Sequence, residues 1–221
     1  MTADSPRQDR RGRLPAVSPI YPIIDVDLCR VRGVDPAAFA DACLRGGATL
    51  LQVRRKGGGS GGFLSLVRDI VERARPWQAA VIVNDRADIA RMAGAQGVHV
   101  GQEDLPVPAV RAVCGPEAIV GLSTHTEAQV DAAVDEEVDY LAVGPIFATA
   151  TKDTGYTARG LDLVGYAARR GKPVVAIGGI TVEGARRARE AGATAVAVIS
   201  DLLAGNDHEA RIREYLRALS I

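Results

Sequence analysis

Two carboxylates and three cations carry the most chemistry in this chain. Asp85 follows the apolar run 80–84, and Asp104 closes the segment GQED that follows the run 97–100. Two carboxylates with few other protein ligands suit Mg2+, which keeps several waters and completes its shell with phosphate oxygens. Arg54 and Lys56 end the segment LLQVRRK, and Lys152 ends VGPIFATATK. A metal bridge beside fixed cations describes a site for a diphosphate. Two other readings compete. The carboxylates could be a general acid/base pair, or Asp85 could simply pair with Arg86 and Asp104 start a helix.

The stretch 139–152 has the grammar of an apolar strand, 140–143, running into a hydroxyl-rich loop with Thr149, Thr151 and Lys152. A buried strand that empties into such a loop presents donors to a phosphorylated ligand. Gly178 and Gly179 in AIGGIT, and the run ending at Ser200, offer a second anion site. Glycine lets the backbone approach a phosphate closely. A tight turn needing positive φ would call for the same glycines. His99 lies inside an apolar strand and reads as a packed or supporting histidine, and His208 as a surface residue. His125 is two residues beyond Ser123, but no Ser-His-Asp set accompanies them, which argues against a serine hydrolase.

Something must hold these residues together, and the periodicity says what. Strands are expected at 20–26, 49–53, 80–84, 97–100, 119–122, 140–143, 173–177 and 195–199. Helical periods fall between and after them, at 36–45, 63–73, 87–92, 107–113, 127–135, 161–170, 182–191 and 208–219. Thr126 with Gln129 has capping-box spacing, and Thr181 is placed to cap the helix that follows it. Eight βα units without a composition break predict an α/β fold, a single-domain (β/α)8 TIM barrel over 18–221. An open doubly wound sheet shares the local pattern. In a barrel the active site lies at the carboxyl ends of the strands. There the sequence collects Gln52 to Lys56, Asn84-Asp85, Asp104, Ser123, the 149–152 loop, Gly179 and Ser200.

Composition narrows the field. With 47% hydrophobic but 4% aromatic residues, the core must be aliphatic, as buried parallel strands require. Formal net charge is +0, so no global field recruits nucleic acid or an anionic membrane. Cys29, Cys43 and Cys114 show no metal or disulfide spacing and fit a reducing cytoplasm. No apolar run reaches membrane-spanning length. Residues 1–17 are polar and Arg-rich, and read as a disordered leader rather than a secretory signal. The sequence is compatible with a homo-oligomer.

The segments QVRRK (52–56), VNDRADIA (83–90), GVHVGQEDLP (97–106), GLSTHT (121–126), VGPIFATATK (143–152), AIGGIT and VIS together closely resemble the thiamine phosphate synthase family. The resemblance runs from about Ile20 to Ser200. It implies Mg2+-dependent coupling of 4-amino-2-methyl-5-hydroxymethylpyrimidine diphosphate with thiazole phosphate, through a pyrimidine cation, to thiamine phosphate and pyrophosphate. By the resemblance, Gln52, Val53, Arg54, Arg55, Lys56 and Asn84 hold the pyrimidine diphosphate. Ser123 and Lys152 contact its diphosphate or its ring. Asp85 and Asp104 bind Mg2+. Thr149, Ala150, Thr151, Gly179, Ile199 and Ser200 take the thiazole phosphate. Arg54, Lys56, Ser123 and Lys152 assist departure of pyrophosphate.

The chain departs from the family pattern in two places. Arg55 stands where the family usually has Glu, and the loop GGGSGG at 57–62 is unusually rich in glycine. That loop reads as a flexible lid. Alternatives on the same barrel are a thiazole tautomerase-like paralogue, a sugar-phosphate isomerase or epimerase, and a ligand-binding protein without turnover.

Overall fold

A computed structural model describes residues 18–148 and 157–220. Eight parallel strands close into a barrel in sequence order: β1 (Ile20–Asp25), β2 (Leu50–Arg54), β3 (Ala80–Asn84), β4 (Gly97–Val100), β5 (Ile119–Thr124), β6 (Tyr140–Val143), β7 (Val174–Ala176) and β8 (Ala195–Val198). Closure is made by β1 pairing with β8, with Ile20 opposite Val196. This settles the choice between barrel and open sheet. The helices are α1 (Val26–Val31), α2 (Pro36–Gly46), α3 (Ser60–Ala74), α4 (Ala87–Ala93), α5 (Val107–Cys114), α6 (Glu127–Val134), α7 (Asp162–Ala168), α8 (Val182–Glu190) and α9 (His208–Leu219). Among the described residues, no helix is long and apolar enough to cross a membrane.

The period of two along each strand sorts side chains into two layers. Leu51 and Val53 of β2 join the large cluster between barrel and helices, with Ile24, Val81, Val83, Ile70 and Val67. Leu50 joins an inner cluster with Tyr21, Ile23, Ile82, Tyr140, Ala142 and Val175. The barrel interior is therefore packed rather than open. Gly121 makes room for one of its two tyrosines, Tyr140. It lies opposite Tyr140 in the ladder, and a Cβ there would come within 2.0 Å of the Tyr140 ring.

Helix starts follow from side-chain acceptors. Asp25, Asp35, Thr126, Thr181 and Asp207 each accept a backbone N–H in the first turn of α1, α2, α6, α8 and α9. Each such cap contributes about 1 kcal/mol. The Thr126 cap forms as expected, but Gln129 Oε1 reaches the N–H of His125 at 2.7 Å rather than that of Thr126.

Three expectations need correction. α1 was not anticipated, because Asp25 ends a strand and caps a helix with no intervening loop. The glycine-rich loop is shorter than expected, since Ser60, Gly61 and Gly62 form the first turn of α3. Arg55 braces what remains of it by donating to the Gly59 carbonyl and lying 4.8 Å over the Phe63 ring. His208 is half-buried, not a surface residue. Its Nδ1 is 2.9 Å from the Leu202 carbonyl and its ring packs edge-on against Phe39. The leader at 1–17 lies outside the described residues.

Candidate active site

The carboxyl ends of the strands surround one pocket with two unlike walls. Gln52 and Arg54 of β2, Asn84 of β3, His99 of β4 and Ser123 of β5 form a polar wall. Val175 of β7 and Ala197 of β8, with Pro145, Ile177 and Ile199 just beyond β6, β7 and β8, form an apolar wall, with Gly178, Gly179 and Ser200 beside it. Such a pocket suits a flat organic ring pressed against the apolar side and read by hydrogen bonds from the other.

The polar wall is organised from below. Gln52 Nε2 donates to Tyr21 Oη at 3.1 Å, and Tyr21 Oη lies 3.1 Å from Tyr140 Oη. Tyr140 Oη is 3.0 Å from His99 Nδ1, and His99 Nε2 is 2.9 Å from Ser123 Oγ. Gln102 Nε2 holds the Ser123 carbonyl at 2.6 Å. Burial pushes the pKa of both tyrosines up, so they remain neutral hydroxyls at working pH. His125 plays no part in this chain of bonds. Its Nδ1 faces the Gly144 carbonyl.

Arg54 is buried and paired with Asp25, a residue the sequence reading did not select. Asp25 sits directly opposite Arg54 in the β1–β2 register and also accepts the Leu28 N–H at 3.0 Å. Arg54 is thus a positioned donor with a counter-ion, not an uncompensated cation. Its Nε is buried without a partner among the described residues, as is Asn84 Nδ2. Two buried donors lacking acceptors beside a pocket point to a ligand that supplies them.

Asp85 and Asp104 follow β3 and β4, which are neighbours in the barrel. Asp85 holds φ 61°, a left-handed conformation uncommon outside glycine, and its N–H donates to the His99 carbonyl at 2.8 Å. Its Oδ2 lies 3.8 Å from Lys56 Nζ. Asp104 Oδ2 accepts the Gly101 N–H at 2.7 Å. Among the described residues there is no group of three or more His, Cys, Asp or Glu that could hold a metal. Carboxylates in the loops after two adjacent strands are the donor type that Mg2+ takes, and its remaining ligands would be water and phosphate.

Two expected site residues are directed elsewhere. Val53 is fully buried in the layer between barrel and helices, because the strand period turns its side chain away from Gln52 and Arg54. Arg55 faces α3. Lys56, Asp85 and Asp104 stand outside the pocket lining, whereas Gln52, Arg54, Asn84, Ser123, Gly179, Ile199 and Ser200 line it. Thr149, Ala150, Thr151 and Lys152 lie outside the described residues. The Gly178–Gly179 pair meets the turn requirement in full. Both have positive φ, and a Cβ on Gly178 would lie 2.4 Å from Pro145.

The profile of the family described as thiamine monophosphate synthase matches residues 20–202. The chain belongs to this family. A thiamine-phosphate synthase of Koribacter versatilis is 45% identical over 207 residues, covering 90% of this chain and 95% of the relative. One from a Mycobacterium species (strain JLS) is 44% identical over 216 residues, covering 93% and 95%. The solved thiamine phosphate pyrophosphorylase of Pyrococcus furiosus superposes with TM-score 0.83 at 26% identity, covering 96% of this chain and 98% of that one. Membership in the thiamine monophosphate synthase family makes the chain an enzyme, a transferase. Tyr21, Tyr140 and Asp25, which hold the pocket side chains Gln52, His99 and Arg54, are the supporting residues that sequence reasoning missed. For the two tyrosines the available signal was an aromatic residue at an inward position of β1 and β6, strands that are otherwise aliphatic apart from Pro22 and Asp25.

Proposed function

We propose that this chain is a thiamine-phosphate synthase that joins 4-amino-2-methyl-5-hydroxymethylpyrimidine diphosphate to thiazole phosphate. The two-walled pocket carries the reading: its polar wall can read an aminopyrimidine while its apolar wall stacks the ring. The reaction breaks the bond between the pyrimidine methylene and the diphosphate oxygen, and the electron pair leaves with pyrophosphate. Electron release from the amino group supports the resulting cation. The thiazole nitrogen then forms the new C–N bond with its lone pair. No protein base is needed, which agrees with a site whose histidine is hydrogen-bonded on both ring nitrogens.

Arg54 and Lys56, with Lys152, would offset the charge that develops on the leaving group, and Ser123 would donate a hydrogen bond to it. Asn84 Nδ2 and Arg54 Nε would find their missing acceptors on the pyrimidine diphosphate. Asp85 and Asp104 would hold Mg2+, which when bound screens the diphosphate oxygens. Gly179, Ile199 and Ser200, with Thr149 to Thr151, would receive the thiazole phosphate. Three free cysteines fit work in a reducing cytoplasm.

The test is pyrophosphate release on mixing the protein with both half-substrates, in Mg2+ and in EDTA. Release that needs both substrates and Mg2+, with thiamine phosphate formed in step, is expected. Bound thiazole phosphate without product under either condition would favour a tautomerase-like or sensing role. Asp104→Ala should lose most of the activity and keep the fold; full activity at limiting Mg2+ would remove Asp104 from the metal site.

A further inference from the structure

We infer that Gln52, Tyr21, Tyr140, His99 and Ser123 act as one polarised hydrogen-bond relay, in which Tyr140 and His99 are positioning residues that make Ser123 a donor to the pocket. The relay runs through four consecutive contacts of 3.1, 3.1, 3.0 and 2.9 Å. Its members come from five strands, β2, β1, β6, β4 and β5, so it crosses the barrel interior beneath the pocket floor. Gly121 permits it, since any side chain there would collide with the Tyr140 ring.

Direction follows from counting hydrogens. Each phenol has one hydrogen to give, and Tyr21 and Tyr140 are both fully buried. Tyr21 Oη already accepts from Gln52 Nε2. If Tyr140 also donated to it, the Tyr21 hydrogen would be left in the barrel interior without an acceptor, which native interiors avoid. Tyr21 therefore donates to Tyr140, Tyr140 donates to His99 Nδ1, and His99 carries its hydrogen on Nε2. Ser123 Oγ accepts that hydrogen, and its own hydrogen is left for the pocket. The opposite sense is equally complete only if the Gln52 amide is turned to present Oε1 to Tyr21. The Gln52 amide and the Ser123 hydroxyl are thus coupled across the barrel: an acceptor facing the pocket at one end goes with a donor at the other.

The tautomer of His99 reports the direction and needs no substrate. Long-range 1H–15N spectra of the 15N-labelled full chain should show His99 with Nδ1 unprotonated, the peaks being assigned with His125→Gln and His208→Gln variants. A wild-type His99 carrying a hydrogen on Nδ1 would overturn the proposal. Gln52→Glu gives the sharper test. At about pH 8 its carboxylate can only accept, so the relay should reverse and place a hydrogen on Nδ1, three bonds away from the substitution. Nδ1 remaining bare in the folded variant would also overturn it, and the wild-type spectrum decides if the variant does not fold.

The consequence for turnover rests on the proposed coupling reaction. Tyr140→Phe should lower kcat by roughly tenfold or more, with a smaller effect on KM for the thiazole phosphate. A variant that keeps wild-type kcat would remove Tyr140 from the catalytic apparatus. A wild-type enzyme that shows the expected tautomer but forms no thiamine phosphate would defeat the reaction and leave the relay standing.

Discussion

Asp25 and Arg54 face each other across the last rung of the β1–β2 ladder and form a buried ion pair in which both side chains are under 10% exposed. The same carboxylate caps α1 through its other oxygen, at 3.0 Å from the Leu28 N–H. One residue therefore fixes where β1 ends, where α1 begins and how the pocket guanidinium is aimed. Removing one partner of such a pair strands the other charge in a low-dielectric setting. Asp25→Ala is expected to lower the unfolding free energy by about 3–5 kcal/mol. Urea denaturation of wild type and variant measures it. A loss below about 1 kcal/mol, no more than the cap alone, would show that Arg54 does not depend on Asp25.

Asn84 offers the opposite balance between stability and binding. Its Nδ2 is buried and has no acceptor among the described residues, although the side chain lines the pocket. A buried donor without a partner costs about 1–3 kcal/mol. Asn84→Ala removes that donor, so the folded state should be at least as stable as wild type by thermal unfolding. Binding of the pyrimidine diphosphate should nonetheless weaken about tenfold, because the donor is expected to be satisfied only in the complex. An Asn84→Ala protein that is less stable yet binds normally would mean that the amide serves packing alone.

The parts of this architecture that obey a local period were legible in the sequence. The eight strands and their order follow from apolar runs at regular spacing, and β3, β4 and β6 begin and end where expected. The face that carries the pocket follows from the polar residues after each run. What could not be read were relationships across the barrel. The Asp25–Arg54 pair depends on the stagger between β1 and β2. The contact between Tyr140 and Gly121 depends on which face of each strand turns inward. The direction of the Val53 side chain is hidden for the same reason, since its neighbours on both sides line the pocket while the pleat turns it outward. Arg55 was drawn away by Phe63, which a one-dimensional motif does not reveal. Helix α3 reaches back into the glycine segment because its tertiary packing outweighs the low helix propensity of Gly61 and Gly62.

Buried acids that hold their protons set the alkaline limit of the fold. Burial, with help from Asp25 and Asp35, pushes the Cys29 thiol from 9.0 up to about 12. Burial likewise raises Cys43, Tyr21 and Tyr140. In the unfolded chain these groups titrate at their ordinary values, so above about pH 9 the unfolded state holds fewer protons than the native one. Stability then falls with rising pH, at about 1.4 kcal/mol per pH unit for each group that is ionised only in the unfolded state. Their contribution is complete below about pH 9 and is lost progressively as pH rises towards 12. The two thiols together predict a slope of about 3 kcal/mol per pH unit once both are ionised in the unfolded chain. Urea midpoints should therefore stay level, as far as these groups are concerned, up to about pH 8.5 and drop steeply by about pH 10.5. Cys43→Ala should remove about 1.4 kcal/mol per unit of that slope while lowering stability at neutral pH. A variant with the wild-type alkaline slope would show that Cys43 ionises as readily in the folded barrel as in the unfolded chain.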